Sequence, residues 1–225
     1  MKSLLPLLKK FFCLVVISGL SVAHAGSYDD FFTAIRVDNV AKVRDLLARG
    51  FDPNTLDPQG LTGLHRALAE PSPKAMQLLA DWPKTEVNKA SRTGETVLMI
   101  AALKGNGEVA KKLISRGGDV NKTGWTPLHY AATGGHVALI SLLLENSAYI
   151  DAESPNGSTP LMMAALYGSG DAVNLLLQEG ADPDLKNQQG LTALAFAQRG
   201  NRPDAIKALS SASQASRLKR PPGQW

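Results

Sequence analysis

Five Gly-x-Thr triplets punctuate this chain: Gly60-Leu61-Thr62, Gly94-Glu95-Thr96, Gly124-Trp125-Thr126, Gly157-Ser158-Thr159 and Gly190-Leu191-Thr192. Successive glycines are separated by 34, 30, 33 and 33 positions. A fixed period of that length means one small supersecondary unit copied end to end. No single copy can bury its own apolar face, so each depends on its neighbours. This excludes most single-core architectures. It also moves the search for function from a catalytic cluster to an extended surface.

Each copy reads as loop, helix, tight turn, helix. In the fourth, Pro127 stands in the first turn of a helix, where its missing N–H costs nothing. Leu128, Ala131 and Ala132 supply a small-residue face, and Gly134-Gly135 breaks the helix. Val137, Ile140, Leu142, Leu143 and Leu144 then form the apolar face of a second helix at 3 and 4 spacing. Asn146 ends it where other copies have Gly50 and Gly180. Leu46-Leu47, Leu78-Leu79, Leu113-Ile114 and Leu175-Leu176-Leu177 hold the equivalent core positions elsewhere.

The run Thr126-Pro127-Leu128-His129 followed by Tyr130-Ala131-Ala132 resembles the signature of the ankyrin repeat, and Thr62-Gly63-Leu64-His65 is a degenerate copy. The resemblance covers about residues 29–211. It implies a mainly α fold: an ankyrin-repeat solenoid of stacked antiparallel helix pairs with projecting β-hairpin loops. Six repeats are expected: an N-terminal cap over 27–59, then 60–93, 94–123, 124–156, 157–189 and a polar C-terminal cap over 190–211. Residues 212–225 are expected to be a flexible basic tail. Within the family, the motif Thr and His tie hairpins together, a role the resemblance gives to Thr126 and His129 and to Thr62 and His65. Met99, Met162 and Ala195 replace the His in the other copies, whose hairpins are expected to be held less firmly.

Two departures from the pattern carry information. Glu70-Pro71-Ser72-Pro73 replaces the inter-helix glycine turn with a stiff, extended corner. The 30-residue spacing leaves only Lys122 and Thr123 between Asn121 and Gly124, so one hairpin is about three residues short and should leave a notch among its neighbours.

Residues 1–25 read as a leader. Lys2, Lys9 and Lys10 form a basic start, 11–20 an apolar stretch too short to span a bilayer, and Ala23-His24-Ala25 a small-x-small cleavage pattern. Cleavage near Ala25 predicts a mature chain beginning at Gly26, delivered to the periplasm or secreted, with no stable membrane insertion. The only cysteine, Cys13, falls inside the removed segment, which suits an oxidising compartment. The precursor carries 24 basic and 20 acidic residues. Without Lys2, Lys9 and Lys10 the balance is 21 to 20, and without Arg217, Lys219 and Arg220 as well it is 18 to 20. The body therefore gives no electrostatic support for nucleic-acid binding.

No catalytic constellation emerges, and no catalytic, cofactor-binding or metal-ligating residues are expected. Gly105-Asn106-Gly107-Glu108-Val109-Ala110 matches a nucleotide fingerprint, but a helix rather than a strand precedes it. The resemblance instead implies partner-facing positions at hairpin tips and at the exposed ends of first helices: Gln59, Leu61, Arg92, Glu95, Trp125 and Gln188, with Lys104 and Tyr167. Trp125, beside the shortened hairpin, is either an aromatic anchor or a side chain that folds back to fill the gap. The expected function is a monomeric, non-enzymatic scaffold that binds another protein in the periplasm. The alternatives are an exported factor acting on another cell's protein and, remotely, an enzyme with a site in the groove.

Overall fold

A computed structural model of the protein describes residues 26–70 and 72–219, with side chains up to residue 215. The expected leader and Pro71 lie outside the described residues. Those described form six helix pairs. Helix α1 covers residues 26–36. It is followed by α2 (Val40–Ala48), α3 (Gly63–Ala69), α4 (Pro73–Asp81), α5 (Val97–Leu103) and α6 (Gly107–Ser115). The remaining helices are α7 (Pro127–Gly134), α8 (Val137–Glu145), α9 (Pro160–Leu166), α10 (Gly170–Gln178), α11 (Ala193–Arg199) and α12 (Pro203–Lys219). They gather into two compact units, one holding α1 to α4 with Ser91–Thr93, the other Val87–Ala90 and α5 to α12.

The Gly-x-Thr triplet is a turn followed by a helix cap. All five glycines have positive φ, from 72° at Gly190 to 94° at Gly94, a conformation that costs an L-residue about 1–2 kcal/mol. Each threonine is then the N-cap of the helix that follows, its hydroxyl accepting the amide of the residue three further on: His65, Met99, His129, Met162 and Ala195.

In the first unit, Phe31, Ile35, Leu64 and Leu79 are fully buried. Gly63 makes room for this core: a Cβ there would lie 2.7 Å from the Phe31 ring. Phe31 also stacks on Phe51, with ring centroids 4.4 Å apart. In the second unit, α5, α7, α9 and α11 lie side by side, as do α6, α8, α10 and α12. The first layer is tight because small residues face each other: Ala101, Ala102, Ala131, Ala132, Ala164 and Ala165 are all fully buried.

Junctions between repeats are held by side chains reaching across about one period. Asn54 donates to the Lys84 carbonyl (2.9 Å) and accepts from the Glu86 amide (2.8 Å). Asn88 does the same with Gly117 and Asp119, and Asn121 with Ser147 and Tyr149. Asp151 replaces Asn at the next junction and can only accept, from the Asp182 amide at 3.2 Å. A second set of ties joins the inter-helix turns. Ser72 donates to the Ile35 carbonyl (2.7 Å), His136 Nε2 to Leu103 (2.9 Å), Ser169 to Gly135 (3.3 Å), and Arg202 to Gly168.

Several sequence expectations change. The loops carry one isolated antiparallel bridge, Leu56 to Thr62, and no strands among the described residues. Helix α12 runs past Ser211 to Lys219, so the tail expected from 212 begins as helix; no Gly or Pro interrupts the chain there before Pro221. Asn146 is not the left-handed residue after α8. It caps the helix with φ −99°, and Ser147, at φ +65°, takes the place of Gly50 and Gly180. On α8 the core is Leu139, Ile140 and Leu143, while Val137 is exposed and Leu142 and Leu144 half-buried. Among the described residues no helix is long and apolar enough to cross a membrane.

Candidate protein-binding surface

The hairpins at Gly60, Gly157 and Gly190 are closed in the same way. The residue three places before the glycine (Asp57, Ser154 or Asn187) accepts the glycine's amide at 2.8 Å, and its own amide donates to Leu61, Ser158 or Leu191. Its side chain then takes further amides inside the turn: Asp57 and Asn187 each accept two, at 2.9–3.0 Å. Three residues before Gly124 stands Asn121, whose side chain is already committed to Ser147 and Tyr149. The shortening therefore removed the closing residue. Among the described residues no backbone hydrogen bond closes 122–125.

Trp125 sits on this unclosed loop, 37 % exposed. Its ring and the His129 ring meet in a T-shaped arrangement, with centroids 5.2 Å apart and planes at 76°. Such an edge-to-face pair adds roughly 0.5–1.5 kcal/mol to the area it buries. One part of the indole is thus held and the other presented.

The His129 beneath it is fully buried. Its Nδ1 lies 3.2 Å from the Thr126 amide, a group that can only donate, so Nδ1 is the acceptor and the ring proton resides on Nε2. Nε2 donates to the Ser158 carbonyl at 2.9 Å, which ties this repeat to the next. Burial lowers the His129 pKa to about 4, outweighing the carbonyl contacts of Ser158 and Ala152, which act to raise it. At Met99 and Met162 the thioether sulfur takes over the contact with the threonine amide, at 3.3 and 3.4 Å. The hairpin after Met162 is tied instead by Gln188, whose amide donates to Asn156 at 3.1 Å.

The other expected surface residues divide between the units. In the first, Gln59 and Arg92 are exposed but engaged. Arg66 donates to Gln59 Oε1 at 2.7 Å, and Arg92 donates to the Pro58 carbonyl at 3.1 Å from its guanidinium and to Gly60 at 2.9 Å from its backbone. Leu61 is half-buried. In the second, Glu95 accepts from the Tyr130 hydroxyl, and burial followed by the Glu95 charge raises the Tyr130 pKa. Lys104 is exposed at the C-cap of α5, and Tyr167, 60 % exposed, caps α9. Gln188 is exposed and donates to the Pro155 carbonyl at 3.0 Å.

Sequence reasoning missed Tyr149, 68 % exposed, with its amide bonded to Asn121 at the base of the short hairpin. A signal was present: at the same place the other copies carry Asp52, Glu86, Asp119 and Asp182.

Comparison with known proteins agrees with this architecture. A family model described as ankyrin repeats matches residues 31–123, 69–154, 108–187 and 150–219, most of the chain. A chain in the structure of a predatory endopeptidase from Bdellovibrio bacteriovorus in complex with an immunity protein is similar at 30 % identity and a TM-score of 0.68. The match covers 81 % of this chain and 97 % of that one. An ankyrin repeat domain from Acinetobacter baumannii AYE has a TM-score of 0.69 at 25 % identity, covering 81 % and 97 % of the two chains. The B-cell lymphoma 3 protein homolog of Mus musculus is 31 % identical over 123 residues, 52 % of this chain but only 28 % of that protein. With capped helix pairs, alanine seams and left-handed turn glycines at every period, and with the family model spanning nearly all of them, the chain belongs to the ankyrin repeat family.

Proposed function

We propose that this chain is a non-enzymatic, monomeric scaffold, exported through a cleaved leader to the periplasm, that binds another protein through its hairpin and first-helix surface. The observation that carries this reading is Trp125: a large aromatic on a loop with no closing hydrogen bond, packed edge to face with buried His129 and partly exposed. Trp buries much area at little entropic cost and dominates binding hot spots. Ankyrin repeats in general mediate protein binding, which supports the same reading.

One comparison favours a narrower version. The similar chain comes from the structure of an endopeptidase in complex with an immunity protein, which supports an endopeptidase as the partner of this chain. Release into the medium to act on another cell's protein is the competing reading. Affinity capture from the periplasmic fraction, with the wild type and with Trp125→Ala and Arg92→Ala, tests the surface. The expected result is a captured protein lost on Trp125→Ala, with affinity reduced at least tenfold. Capture unchanged in both variants would refute the assigned surface. Recovery of the chain mainly from the medium would refute periplasmic action.

A further inference from the structure

The first unit contains a groove that the Trp125 surface does not involve. It has a volume of about 360 Å³ and lies between α1, α3 and the hairpin joining α2 to α3. That is the lower end of the roughly 300–1,000 Å³ range of ligand pockets, room for a single long side chain and its flanks. Tyr28 and Phe32 form one wall, with ring centroids 5.1 Å apart and tilted by 59°. The Tyr28 hydroxyl is fixed by donation to the Leu56 carbonyl at 3.2 Å.

The charges in the groove are unevenly committed. Asp57, with its carboxylate only 3 % exposed, is saturated by the amides of Gln59 and Leu61 and by Arg66. Arg66 is in turn shared among Asp57, Gln59 and, at 4.0 Å, Glu70. These groups make a fixed, nearly neutral floor. Asp29 is exposed and lies beside the aromatic wall, at the N-terminal end of α1. Arg36 lies about 10 Å further along the helix axis. It is near the level of Glu70, which stands one period after Val37. The groove thus has an acidic, aromatic end and a balanced end. The Tyr28 pKa is raised by desolvation and then by the charges of Asp57 and Asp29, in keeping with a negative potential at that end.

We infer that this acidic, aromatic end receives an arginine side chain of a partner protein, its guanidinium bonded to Asp29 and stacked on Tyr28 and Phe32. The chemistry is specific. A guanidinium is planar, donates to a carboxylate in a fork, and stacks on aromatic faces while remaining weakly hydrated. The inference rests on the reading of this chain as a protein-binding scaffold and adds a second, chemically defined contact to it.

The test needs no native partner, so its outcome is separable from that of the capture experiment. The isotopically labelled protein is titrated with the peptide acetyl-Gly-Arg-Gly-amide and with its citrulline analogue, which keeps the shape and loses the charge. Amide chemical shifts are followed by NMR. The arginine peptide is expected to shift Tyr28, Phe32 and Arg66, saturating in about the millimolar range of a one-residue anchor. The citrulline peptide should have at least fivefold weaker effect. Asp29→Asn, an exposed and isosteric change, should weaken the arginine peptide at least fivefold, and Gln178→Ala, an exposed change on α10, should leave it unchanged. Equal responses to the two peptides, shifts confined to other residues, or an Asp29→Asn variant that binds like the wild type would each overturn the assignment.

Discussion

Replacing His129 by Met should remove one buried group's contribution to the pH dependence of stability. His129 is fully buried and neutral, with a pKa lowered to about 4 by desolvation. In the unfolded chain it returns to about 6.5. Because the folded value is depressed, the unfolded state takes up the proton first as pH falls. The stability that neutral His129 contributes is therefore whole above pH 6.5 and is lost progressively down to about pH 4. A difference of roughly 2.5 units at about 1.4 kcal/mol each makes the loss about 3 kcal/mol. Met is the natural control, since Met99 and Met162 occupy the same position and accept the threonine amide through sulfur. His129→Met forfeits the bond to the Ser158 carbonyl, worth about 1 kcal/mol, since that carbonyl keeps the Ser154 amide as a donor. Wild type should accordingly be the more stable protein at pH 7.5 by about 1 kcal/mol. The gap should close as pH falls and be reversed in sign by pH 4. Urea unfolding followed by circular dichroism at four pH values between 7.5 and 4 measures both curves, and taking the difference cancels every other titrating group. A gap constant to within about 0.5 kcal/mol across that range would refute the reasoning.

Three further outcomes follow from the packing and the junctions. Leu143→Ala, at a fully buried position, should cost about 2–5 kcal/mol and half-buried Leu142→Ala clearly less, as read from thermal or urea unfolding; equal losses would contradict the helix face described. Ser147→Gly should stabilise by about 1 kcal/mol, because Ser147 alone holds the left-handed position that glycine occupies after α2, α6 and α10. Asp151→Asn should restore a donor toward the Gly180 carbonyl, as Asn54, Asn88 and Asn121 provide at their junctions, and gain about 1 kcal/mol at pH 7. Burial and then the Asp182 charge raise the Asp151 pKa, so ionised Asp151 opposes folding at neutral pH and protonation relieves it. The gain should shrink as pH falls through the Asp151 titration, which melting curves at pH 7 and pH 3.5 would check.

The fold was legible because its signals are local. A left-handed glycine and a capping threonine must sit two residues apart, and alanines must face alanines where first helices meet, so both leave a period in the sequence. The short hairpin was legible by counting. What counting could not supply was which residue the deletion removed; that required seeing Asn121 committed to Ser147 and Tyr149. Val137 and Leu142 pass for core positions in the sequence because a run as apolar as Val137–Leu144 carries a single polar residue, Ser141, to mark its outer side. Ser147 was missed because Asn146, a residue that tolerates positive φ, stands one place earlier. The groove beside Tyr28 left no trace in the pattern, since α1 carries no Gly-x-Thr triplet and Asp57 looked like one more loop carboxylate.

The junction asparagines also impose an order in time. Asn54, Asn88 and Asn121 do not brace their own repeats; each grips backbone that lies about 26–32 residues later in the chain. On a ribosome, where the chain emerges from its N-terminus, the loop after each helix pair has nothing to hold until its successor has been made. Every repeat must wait one period before it locks. The growing end is therefore always one unit looser than what precedes it, a moving frontier that advances with synthesis and comes to rest at α12.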